Sequence, residues 1–174
     1  MSTGATAAPY TEPWLRGTHT DVPVVVRAVL YSFELAADDA ARWTEGMTDL
    51  EIHAQPPGLM SVASQLRHIA GSVDRLLTYA EGNQLSEEQL RALKREQTGG
   101  ETREQLLEEV NAALVRGAER VRALTSVDLD TERRVGRKNL PTTLGGTLIH
   151  IAEHTQRHVG QLVTTAKVVR ALRG

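Results

Sequence analysis

His150, His154 and His158 stand four residues apart within LIHIAEHTQRHVGQL, residues 148–162. On a helix, residues four apart lie over one another on one face, with Cβ atoms about 5–6 Å apart. The stretch would then carry a vertical row of three imidazoles. A pair of these could close on one metal ion, since a Zn–N bond is about 2.0–2.1 Å. The chain holds 6 His in 174 residues. Two more at those offsets arise by chance on the order of 0.001 per starting His, so the spacing counts as evidence. A two-His site binds weakly, and the usual catalytic form has three protein ligands with positions left open. The other histidine on a predicted helix, His68, is the candidate third ligand. There is no cysteine, so any metal must use His, Asp, Glu or water.

Other templates fit less well. His150-Ile-Ala-Glu153-His154 matches the H-x-x-E-H pattern of inverted zinc proteases, with Glu153 as base. Those enzymes take a third ligand from well downstream, and only His158 among the ligating residue types follows His154. A ferritin-like di-iron site needs Glu-x-x-His on two helices, and Glu153 is followed by Gln156. A haem row has no further support in a chain with 3% aromatic residues. The non-metal reading makes the row a polar seam satisfied by neighbours across a dimer interface.

The elements that must position the row are helices. The length suits one domain with a real core. Hydrophobic residues make up 40% of the chain, so the core is built from Leu, Val, Ile and Ala, which favours closely packed helices over a sandwich. A net charge of −2 argues against nucleic acid or an anionic membrane as partner. No apolar run reaches the roughly 20 residues of a membrane span. The first residues lack the pattern of a secretory signal, so a cytoplasmic protein is expected.

Residues 1–20 read as an arm, with Trp14 and Leu15 as apolar exceptions that would tuck against the body and His19 solvated. The first long helix runs from Asp21, its cap, to about Met47, with Gly46 ending the pattern. Asp38 and Asp39 are adjacent and read as surface. Residues 48–58, ending in QPPG, cannot form a continuous helix; His53 there has no ligand partner in register. A second helix runs from about Leu59 to Tyr79 on the stripe Leu59, Val62, Leu66, Ile69, Val73 and Leu77. His68 points roughly 140° from that stripe, among Ser61, Ser64, Ser72 and Arg75. From this helix alone, that face reads as solvent rather than as a polar pocket wall. Ser86 with Gln89, and Thr102 with Gln105, are capping boxes opening a short helix and a third long one. Residues 125–141 read as a loop in which Arg133, Arg134, Arg137 and Lys138 either greet a substrate anion or touch only solvent. The last helix starts after Pro141, capped by Thr142 or Thr143, and runs to about Leu172. Beside its apolar stripe lies a polar one: Thr147, His150, His154, His158, Gln161 and Thr165. No strand is expected.

Two stretches, LRHIAG around His68 and LIHIAEHTQRHVGQL, together resemble the DinB-like family of the DinB/YfiT superfamily of metal-dependent enzymes. The likeness covers the chain from about residue 20 to the end. It implies an all-α fold, a four-helix bundle with long crossover connections and a short extra helix. The arm would then be residues 1–20 and the bundle domain 21–174. It also implies a divalent metal (Zn, Ni, Fe or Mn) on His68, His154 and His158. His150, Gln161 and Ser64 would line the pocket or back the ligands, and Gly160 would be a close-packing point. Characterised members resemble S-transferases that use a low-molecular-weight thiol, or thiol-dependent isomerases, and homodimers are common. Two positions depart from the family pattern. Val73 stands where many members have Glu, with Asp74 next door, and Arg157 stands where a second His is frequent.

The expected function is therefore metal-dependent S-transfer or hydrolysis of a small molecule. The alternative is a non-catalytic metal-binding or structural dimer. Glu153 projects about 100° off the row and is a poor base.

Overall fold

Pro23 sets the start of the first long helix, two residues later than the expected cap Asp21: α1 is Val24–Thr44, and the turn at Gly46 (φ +67°) follows it. The computed structural model describes residues 10–173; residues 1–9 of the expected arm lie outside it. The remaining elements are α2 (Asp49–His53), α3 (Val62–Ala80), α4 (Glu87–Arg95), α5 (Arg103–Ala123), β1 (Glu132–Val135), β2 (Leu140–Thr143) and α6 (Leu144–Ala171). Among the described residues the regular structure is thus helical apart from one hairpin. Of the four long helices, α1 packs against α5 and α6, and α3 packs against the same two.

Caps decide most boundaries. Ser61 accepts from the Ser64 amide at the start of α3, and the predicted boxes at Ser86/Gln89 and Thr102/Gln105 both form. A third box, Thr48 with Glu51, makes a short helix in the 48–58 link and buries Ile52 completely. The prolines stop that helix without preventing it.

The core joins Val26, Leu30 and Phe33 of α1 to Leu66, Ile69, Val73 and Leu77 of α3. It continues through Leu106, Val110 and Leu114 of α5 to Leu148, Ile151 and Leu162 of α6. Gly117 allows a close approach within the core, because a Cβ there would stand 2.9 Å from Val73 Cγ1 and 3.0 Å from Phe33 Cε2.

Three expectations are corrected. Residues 10–20 are tied to α1 rather than free. Tyr10 and Arg16 bond Asp38, and the Tyr31 hydroxyl donates to the Thr18 carbonyl at 2.6 Å. His19 is not solvated: it meets Glu34 at 2.5 Å, and Arg122 donates to its other ring nitrogen at 2.7 Å. Trp14 and Leu15 stay exposed, and Pro13 is the residue that is buried.

The second correction is the segment 125–141, which folds into the antiparallel pair β1–β2, with Glu132 opposite Thr143 and Val135 opposite Leu140. Gly136 and Asn139, both at positive φ, make its turn. The third is the face of α3 that carries His68. Ser64, Arg67, Ser72 and Arg75 are all buried, because α3 packs against α4 as well as α5 and α6.

Candidate metal centre

Two helices converge to build the site. Thr143 accepts from the Gly146 amide and caps α6, which then places Leu148, Ile151, Val159 and Leu162 in the core. With that face fixed, His154 and His158 fall at the α3 boundary, where His68 approaches from the other side. One ring nitrogen from each of His68, His154 and His158 lies within 4.8 Å of the others, a group that could hold a metal ion. Nε2 of His68 and Nε2 of His154 stand 3.2 Å apart. Two nitrogens each about 2.0–2.1 Å from one ion at a near-tetrahedral angle would be about 3.3 Å apart, so the pair fits without rearrangement.

The far sides of the rings are held. Glu96 Oε2 lies 2.7 Å from His68 Nδ1, and Gln65 Oε1 lies 2.9 Å from His158 Nδ1. Gln161 Oε1 accepts in turn from Gln65 Nε2 at 3.0 Å. His154 Nδ1 has no partner, and it is the one buried side-chain nitrogen or oxygen so placed among the described residues. It lies on the far side of the ring from the Nε2 that faces His68, so within the trio only His68 and His158 are held from behind, by Glu96 and Gln65.

Burial, followed by the neighbouring histidines, pushes the His154 imidazole down to about 4. Burial and His68 do the same to His158. Both rings are therefore neutral at pH 7, the form that ligates a metal. Imidazole donors without thiolate suit several divalent transition metals, Zn, Fe and Ni among them.

The remaining sequence candidates divide clearly. His150 is partly exposed and bonds Glu153 at 2.9 Å; its ring centroid is 5.3 Å from that of His154. Hydrogen bonding to His150 holds the Glu153 carboxyl below its usual range, and it faces solvent, so it is no base for the trio. The Ser64 hydroxyl accepts from Ser61 at 2.9 Å, and Gln65 next to it is the residue that reaches a histidine. Gly160 has open space around it and is not a packing point. His53 Nε2 donates to the Glu101 carbonyl, 2.9 Å away.

The basic segment lies elsewhere. Arg133 Nε donates to the Ala80 carbonyl at 2.5 Å, and Arg134 pairs with Glu132. Ala80 ends α3, about 18 Å along the helix from His68 at 1.5 Å per residue. Arg133 thus satisfies the end of α3, away from the histidines, and Arg134 pairs on its own strand.

Glu96 and Gln65 are absent from the sequence-based candidates. Gln65 had a signal, since it precedes His68 by three residues and shares its face. Glu96 had none, because it arrives from the end of α4.

No helix among the described residues is long and apolar enough to cross a membrane. No curated protein sequence matches the chain. A family model described as the DinB superfamily matches residues 32–162. That span includes all three clustered histidines together with Gln65 and Glu96, and the chain belongs to the DinB superfamily.

Proposed function

We propose that the chain is a divalent-metal-dependent enzyme acting on a small molecule, by S-transfer with a low-molecular-weight thiol or by hydrolysis. His68, His154 and His158 would be the protein ligands. The observation that carries the reading is the meeting of three imidazoles from two helices, two of them held neutral by burial. A divalent ion there would supply Lewis-acid chemistry, lowering the pKa of a water or thiol beside it.

The chain's own residues prepare that chemistry. Gln65, as acceptor at His158 Nδ1, keeps the proton on that nitrogen and the lone pair on Nε2. Gln161 holds the Gln65 amide in that orientation. His150, one turn before His154, would line the mouth; its hydrogen bond to Glu153 would keep that carboxylate off the reacting side. Three ligands leave positions for a substrate. Exposed Trp14 and Leu15 would suit a homodimer, which light scattering checks.

The test is metal analysis of untagged protein, wild type beside His154→Ala. Near-equimolar metal in the wild type and its loss in the variant are expected; equal content in both would sink the reading. Turnover assays with small thiols and electrophiles, or with esters, then separate transfer from hydrolysis.

A second reading, a non-catalytic metal-stabilised fold, draws on the same trio, since an ion there would tie α3 to α6 and add its binding energy to folding. Chelator would then lower the melting temperature while no substrate turned over.

A further inference from the structure

Glu96 is a carboxylate 8% exposed, and Glu is almost never that buried unless paired. Its two oxygens are divided. Oε1 lies 2.5 Å from Arg75 Nη1, and Oε2 lies 2.7 Å from His68 Nδ1. The Arg75 guanidinium compensates the buried charge, so Glu96 meets His68 as an acceptor. An acceptor there places the imidazole proton on Nδ1 and leaves the Nε2 lone pair facing His154 Nε2.

The route by which Glu96 arrives is itself built. It follows the last residue of α4, and its amide donates to the Leu93 carbonyl. The segment from Glu96 to Glu101 is strapped to α3 by Arg67, which reaches the Glu96 carbonyl and the Glu101 carboxylate. Gly71 stands one turn after His68 and one turn before Arg75, on the same face. A Cβ at Gly71 would overlap both Glu96 Oε1 and Arg75 Nη1. The glycine is therefore the gap through which the carboxylate crosses α3 to the histidine.

We infer that Glu96 is a positioning residue of the metal centre, carried across Gly71 and anchored by Arg75, which fixes the tautomer and orientation of His68. Its effect on metal affinity rests on the proposed metal site; its effect on the tautomer does not. Partners of this kind are worth about 10–100-fold in affinity where the ligand they orient is bound to metal.

Four proteins test it: wild type, Glu96→Gln, Gly71→Ala and Glu101→Gln. Gly71→Ala displaces the carboxylate while keeping its charge, and Glu101→Gln loosens the same strap without touching His68. Two-dimensional 15N–1H spectra of metal-free protein at neutral pH should show His68 protonated on Nδ1 in wild type and in Glu101→Gln. That preference should be lost in Gly71→Ala, and also in Glu96→Gln, where Arg75 keeps the amide oxygen and the NH2 is left facing Nδ1. Zinc affinity, by competition with a chromophoric chelator, should fall about 10–100-fold in those two variants and stay within about twofold in Glu101→Gln.

Equal weakening by Glu96→Gln and Glu101→Gln would overturn the inference, because the strap alone would then matter. So would wild-type His68 protonated on Nε2. Where Glu96→Gln fails to fold, Gly71→Ala carries the test. If wild type takes up no zinc but the tautomer pattern holds, the metal reading falls and the positioning role stands.

Discussion

His68 Nε2 and His154 Nε2 face each other at 3.2 Å although 86 positions separate them in the chain. No helical spacing produces that contact. It requires α3 and α6 to cross with both imidazoles in register, and it makes metal binding and helix packing one problem.

Metal should therefore stabilise the fold measurably. Free zinc at about 100 times its Kd adds about 2.7 kcal/mol, and a domain of this size shifts by about 2–4 °C per kcal/mol. Differential scanning fluorimetry should show a rise of about 5–10 °C in wild type and none in His154→Ala. A similar rise in both proteins would mean that the ion sits elsewhere.

Acid should weaken the metal-free protein. The His154 and His158 imidazoles are pushed down to about 4 in the fold, against about 6.5 in an unfolded chain. Between those values the unfolded state binds more protons, so stability falls as pH drops from about 6.5 through 4. Urea midpoints across that window should decline in wild type. The decline should be shallower in His154→Ala/His158→Ala, and parallel slopes would contradict the assignment.

Arg133 separates two roles for the basic segment. Its guanidinium donates to the carbonyls of Ala80 and Glu132, far from the histidines. Arg133→Ala should cost about 1.5–3 kcal/mol in urea unfolding, the scale of a hydrogen bond from a charged group. Zinc affinity should be unchanged. A loss of affinity without loss of stability would restore the substrate-anion role.

Gly117 should tolerate little. Val73, Phe33 and Leu77 already crowd the space a Cβ would take. Gly117→Val should destabilise by about 1–3 kcal/mol through overpacking, read as a lower urea midpoint. A stabilised variant would show that α5 can shift outward freely.

The parts legible in the sequence are those that helical periodicity encodes. Spacing alone puts His154 and His158 on one face with Thr147 and Thr165, and the capping boxes at Ser86 and Thr102 need only local chemistry. The hairpin was not legible. ERRV and LPTT show no alternation, and Pro141 argues against a strand except where both strands are edges. The covered face of α3 misleads for a different reason. Its serines and arginines look like a solvent face, but Arg67 and Arg75 are buried against Glu101 and Glu96, partners contributed by a distant connection.

Thr143 ends β2, pairs with Glu132 across the hairpin, and caps α6 through its hydroxyl. The zero point of the α6 winding is thus pinned by a strand pair, ahead of His154 by about three helical turns. Each residue inserted after that point turns the helix by about 100°. One extra residue between Thr143 and His150 would bring Glu153 and Arg157 round to α3 and send the imidazoles away from His68. A residue added within the turn between Gly136 and Asn139 would leave the angular phase of the row untouched. Length variation in this protein should accordingly collect in the turn and be absent from the first two turns of α6.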